Sequence, residues 1–84
     1  PDHIILRQAH NALHQGDIPT AVKQYEQLLN RMVLLNEIIL DLQDALYRYP
    51  VEMSIWQTLG DAYMRNNQLQ DALDAYTKAE ELLR

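Results

Sequence analysis

Eighty-four residues, 48% of them apolar, make one small domain near the lower size limit for a self-sufficient core, and a chain too apolar to stay disordered. Seven Lys and Arg, scattered singly among twelve Asp and Glu, leave a formal charge of −5, so no cationic patch for nucleic acid or an anionic membrane can be assembled. Cysteine is absent, which removes disulfides and thiolate chemistry; neither a membrane span nor a secretory signal is legible, and a cytoplasmic protein is expected.

Pro1, Gly16, Pro19, Pro50 and Gly60 are the only helix breakers, and between them apolar residues recur at spacings of three and four without strand alternation. The expected class is all-α, with about five helices. A first helix runs from Asp2, a candidate N-cap, through Ile5, Ala9, Ala12 and Leu13 to Gly16, which can take a left-handed cap conformation. Asp17 caps a second helix with Pro19 in its first turn, carrying Ala21, Val22, Tyr25, Leu28 and Leu29. A third segment carries Leu35, Ile38, Ile39, Leu42, Ala45, Leu46 and Tyr49, and Pro50 closes it. Ser54 and Gln57 have capping-box spacing at the start of a fourth helix holding Trp56, Leu59, Tyr63 and Met64, which gives way at Asn66-Asn67. The last helix presents Leu69, Ala72, Leu73, Tyr76, Ala79, Leu82 and Leu83. Connections this short make neighbouring helices antiparallel.

One joint has two readings. Ala21, Tyr25, Leu28, Met32, Leu35, Ile39, Leu42, Leu46 and Tyr49 keep alternating spacings of four and three, and no Gly or Pro occurs from Thr20 to Tyr49. That pattern allows a single helix over 20–49, which would separate the two ends of the chain and invite exchange between copies.

Trp56, Leu59, Gly60 and Tyr63, followed by Ala72, Tyr76 and Ala79, resemble the tetratricopeptide repeat, W-x2-L-G-x2-Y then A-x3-F, with Tyr76 for Phe. Gly60 and Ala72 are small where two helices would approach, and the larger residues fill the volume beside that contact. Aligning Ala21, Tyr25 and Leu28 with Ala72, Tyr76 and Ala79 makes the first hairpin a weaker copy. The offset from Ala21 to Ala72 is 51 residues, one repeat of about 34 plus half of another. The resemblance implies a single domain over 1–84 of antiparallel hairpins in a right-handed superhelix. It would comprise a degenerate hairpin over 2–32, a connecting helix over 33–50 and a clear repeat over 53–84. It also favours a break near Arg31–Leu34 over the continuous helix.

Such arrays bind peptides or partner helices on the face lined by first helices. By position, that face would present His3, Leu6, His10, Leu13 and His14, then Ser54, Gln57, Asp61, Met64 and Arg65. Leu6, His10, Ser54 and Thr58 stand where carboxylate-clamping relatives use Lys, Asn and Arg, so that clamp is not expected. Should the histidines line the groove, protonation below about pH 6.5 would favour an acidic partner.

His10 and His14, four apart, share a helix face and could chelate a metal, but no third ligand or HExxH pattern completes a site. The pairs Asp41 with Asp44, Asp71 with Asp74 and Glu80 with Glu81 read as solvated surface beside core positions. The functional expectation is therefore a protein–protein interaction scaffold rather than an enzyme, without cofactor. A homodimerisation module is the alternative, and a metal-binding protein using the histidine stripe a third. Leu69, Leu73, Tyr76 and Leu83 form a face that no following helix covers, so a second copy, a partner or further chain is expected on it or on Met32–Leu40.

Overall fold

Helices of 13 or 14 residues are marginal alone in water, and each one here has an apolar stripe that must find a neighbour. In the computed structural model, which describes residues 1–84, five such helices form: α1 (Asp2–His14), α2 (Ile18–Asn30), α3 (Leu35–Arg48), α4 (Met53–Arg65) and α5 (Leu69–Glu81). There is no strand. The order and type of the elements are as the periodicity predicts.

The ends of the helices explain where the chain turns. After α1, Gly16 stands at φ +78°, its N–H donating to Leu13 O and that of Asp17 to Ala12 O. This is the paired closure of a Schellman turn. Asp17 then caps α2 by accepting from the Thr20 N–H at 3.4 Å, with Pro19 in the first turn. The same closure ends α4, with Asn67 at φ +61° donating to Met64 O and Gln68 to Tyr63 O. It recurs after α2, where Met32 at φ +59° donates to Leu29 O and Val33 to Leu28 O. Leu34, at φ +55°, is also left-handed. The break between α2 and α3 thus falls within residues 31–34, and the continuous helix over 20–49 does not form. Left-handed backbone costs an L-residue roughly 1 kcal/mol or more.

Two expected caps are displaced. Asp2 lies inside the first turn of α1, behind Pro1, and its carboxylate meets the Arg31 guanidinium at the end of α2. Helix α4 starts behind Glu52, whose carbonyl accepts from Ile55 and Trp56. Ser54 is therefore already helical; its hydroxyl reaches the Glu52 carboxylate at 3.3 Å, and no capping box with Gln57 forms.

Helices α1 and α2 pack as one hairpin and α4 and α5 as another. Helix α3 runs across the first hairpin: Asp41 meets Tyr25 of α2 and His10 of α1, and the Tyr49 hydroxyl donates to Leu13 O at 2.9 Å beside Gly16. The core drawn from α1 to α4 centres on Leu13, Tyr25, Leu28, Leu29, Ile38, Leu42 and Ile55, all essentially without exposure. Helix α5 packs on α4 and on no other helix, through Ala72, Ala75 and Ala79.

Candidate interaction surface

Helix α4 positions everything around it, and Gly60 is the reason α5 can approach. A Cβ at Gly60 would lie 2.6 Å from the Tyr76 ring, so the ring occupies the space that any side chain at 60 would need. The Tyr76 hydroxyl donates to the Asp61 carboxylate on the next residue of α4. Burial, and then that carboxylate as acceptor and as charge, push the Tyr76 hydroxyl up to about 12. Trp56 is only partly buried; its indole N–H donates to Pro50 O at 3.0 Å, tying the ring to the α3–α4 turn.

Trp56, Leu59 and Tyr63 make the floor of a trough. On one side Leu40, Gln43, Asp44, Leu46 and Tyr47 of α3 rise as a wall, enclosing about 660 Å³. On the other side the same three floor residues adjoin Asp71, Asp74, Ala75 and Lys78 of α5. Gln43 donates to the Tyr63 hydroxyl at 2.8 Å, which ties the wall to the floor. Leu40 is 64% exposed and Tyr47 88% exposed, so large apolar surface stands in water at the rim. The carboxylates of Asp44, Asp71 and Asp74 surround it, with Lys78 the one cation among the lining residues.

The residues expected to form a groove lie on α1 and α4, which make no direct contact. Leu13 is buried at 1% exposure and belongs to the core shared by α1 to α4, its carbonyl accepting from the Tyr49 hydroxyl. His3, Leu6 and His10 line a separate shallow depression with Arg7 and Asp41. On α4, Asp61 is engaged by Tyr76, Arg65 reaches Asn30 of α2, Ser54 is tied to Glu52, and Gln57 and Met64 are exposed.

Two members of the histidine stripe, His10 and His14, belong to a chain of polar contacts. His14 Nε2 and His10 Nε2 are 3.0 Å apart, His10 Nδ1 is 3.5 Å from Asp41, and the Tyr25 hydroxyl donates to the same Asp41 at 2.9 Å. Burial first, then the charge and acceptor oxygen of Asp41, raise the Tyr25 hydroxyl far above its ordinary range. No three His, Asp or Glu side chains converge as metal ligands would. The apolar stripe on α5 is uncovered at Leu69, Leu73 and Leu83, but not at Tyr76, which turns inward onto Gly60.

Sequence reasoning missed the α3 wall. The signal was present: Leu40 and Tyr47 lie seven apart on the face opposite Ile38, Leu42 and Ala45, two large apolar residues where charge would be expected.

Compared with known families, residues 54–84 match the tetratricopeptide repeat. That span begins with α4 and takes in Trp56, Gly60 and Tyr76, the residues of the close contact just described. No curated protein and no solved structure matches the chain. No helix is long and apolar enough to cross a membrane.

Proposed function

We propose that this chain, whose residues 54–84 match the tetratricopeptide repeat, is a non-catalytic protein–protein interaction scaffold whose working surface is the α3–α4–α5 trough. The occupant that suits it is an amphipathic helix with an apolar stripe and Lys or Arg on its flanks. A trough floored by one helix and walled by two has the form that accepts a helix, and the acidic rim complements a basic flank. The observation that carries this reading is the exposed Leu40 and Tyr47 above a floor of Trp56, Leu59 and Tyr63. The repeat supports a protein partner in general; the choice of a basic helix rests on the trough.

The test uses the single tryptophan as reporter. Synthetic amphipathic helices with identical apolar stripes and either basic or acidic flanks are titrated against Trp56 fluorescence. The basic peptide should bind and shift the emission, and Tyr47→Glu should weaken it by at least about tenfold, as loss of an aromatic anchor does. Equal binding of both peptides, or no effect of Tyr47→Glu at unchanged Tm, would overturn the assignment.

A further inference from the structure

We infer that the α2–α3 turn is a hinge that opens into one continuous helix over residues 18–48, so that two copies of this chain exchange α3–α5. The trough of the proposed function lies wholly inside the exchanged unit, so this inference stands on separate observations.

The chain closes three helices with the same turn, which allows an internal comparison. The left-handed position is filled by Gly16 after α1 and by Asn67 after α4, both residue types suited to it. After α2 it is filled by Met32, and Leu34 two residues on is left-handed as well. Neither has a side chain that eases positive φ. Helix α3 then begins without a side-chain cap. The turn is thus the one joint in the fold whose sequence disagrees with its conformation, and all four residues, Arg31 to Leu34, are compatible with helix.

Straightening reverses each of these features. Met32 and Leu34 return to right-handed backbone, and the first amides of α3 gain carbonyl partners one turn upstream. The apolar stripe supports the same conclusion. Of its members, Tyr25, Leu28, Ile39 and Leu42 are buried and Met32 is 56% exposed, because the turn lifts it out of register. In two antiparallel long helices crossing near residue 32, Met32 would rejoin that seam.

Nothing else need change. The polar contacts that bridge the hinge, Tyr25 and His10 to Asp41, Tyr49 to Leu13 and Arg65 to Asn30, can all be re-formed between copies as they stand within one. A short hinge in which the local sequence favours the open form is the usual setting for exchange of an element between protomers. Only the loss of translational freedom opposes it, so the exchanged form gains with concentration.

The full chain, refolded at several hundred micromolar and separated by size, tests this. The wild type should give a dimer that persists on dilution. Met32→Ala/Leu34→Ala, which favours helix, should increase it, and Met32→Gly/Leu34→Gly, which relieves the turn and weakens the helix, should reduce it. The dimer-to-monomer ratios of the two variants should differ by more than about tenfold, four sites being changed per dimer. The protein has no cysteine, so Asn30→Cys/Arg65→Cys with a short bis-maleimide reports where that contact lies. The dimer fraction should give covalent dimers and the monomer fraction only intrachain links. Three results would each overturn the inference: no dimer in wild type or the alanine variant, equal dimer in both double variants, or a dimer fraction that links only within chains.

Discussion

Gly60 and Tyr76 share one volume: the ring of Tyr76 lies where a side chain at 60 would begin, and the Tyr76 hydroxyl is fastened to Asp61 one residue further along α4. The ring cannot simply swing away, because it is held at both ends. Gly60→Leu should therefore destabilise by about 3 kcal/mol through overpacking, lowering Tm by more than about 12 °C in a domain this small. Gly60→Ala separates sterics from propensity. In the wild type it should lower Tm, whereas in a Tyr76→Ala background it should raise stability by about 0.5–1 kcal/mol, since alanine is the better helix former. Thermal denaturation of the four proteins checks the reversal; a Gly60→Ala effect of the same sign in both backgrounds would contradict the shared volume.

Tyr25 and Tyr76 each donate to a carboxylate, and both hydroxyls hold their protons more tightly folded than in a free chain. The folded state therefore binds more protons than the unfolded state once pH passes the ordinary tyrosine value near 10. Stability from this source is complete below about pH 10 and declines as pH rises toward 12. Urea midpoints between pH 8 and 11.5 should fall steeply for the wild type. They should fall less steeply for Tyr76→Phe, and less again for the double phenylalanine variant. At neutral pH each phenylalanine should cost about 1 kcal/mol for the lost hydrogen bond. A wild-type slope unchanged in the double variant would remove both tyrosines from the alkaline transition.

Helix α5 is attached to α4 alone, by three alanines and the Tyr76 ring seated on Gly60, whereas α1 to α4 share the large side chains of the core. Alanine buries little area, roughly a third of what leucine does, so α5 should open well below the free energy of global unfolding. In native-state hydrogen exchange, amides of Ala75 to Ala79 should exchange at least about tenfold faster than those of Leu28 and Leu42. Uniform protection across all five helices would show instead that the molecule opens as one unit.

Much of the fold was legible because most of the turns carry the residues their geometry demands. Gly16, Asp17, Pro19 and Asn67 occupy the positions that their side chains suit, and the helices they bound were readable from spacing alone. Gly60 announced its close contact, though its partner is the ring of Tyr76. The α2–α3 joint was ambiguous for a physical reason: Met32 and Leu34 carry no local signal for a turn, and only the repeat spacing favoured a break. Start signals at Asp2 and Ser54 misled because the chain enters α1 and α4 one or two residues earlier, at Pro1 and Glu52.

The candidate surface was harder to see, because its walls come from helices apart in sequence. Leu13 has the spacing of a face residue on α1, and only the packed arrangement of the helices shows it buried. Leu40 and Tyr47 are invisible as a wall until α4 lies beside them.

The two walls of the trough never meet: α3 and α5 are joined only through α4. Its width is accordingly set at one contact, where the Tyr76 ring seated on Gly60 keys α5 to α4 among three alanine methyl groups. A slender helix could be gripped from both sides, whereas a stout one would have to lift Tyr76 off Gly60. Selectivity in such a clasp would come from the charged rim and from Tyr47, the parts that do not yield, while the floor tolerates many shapes.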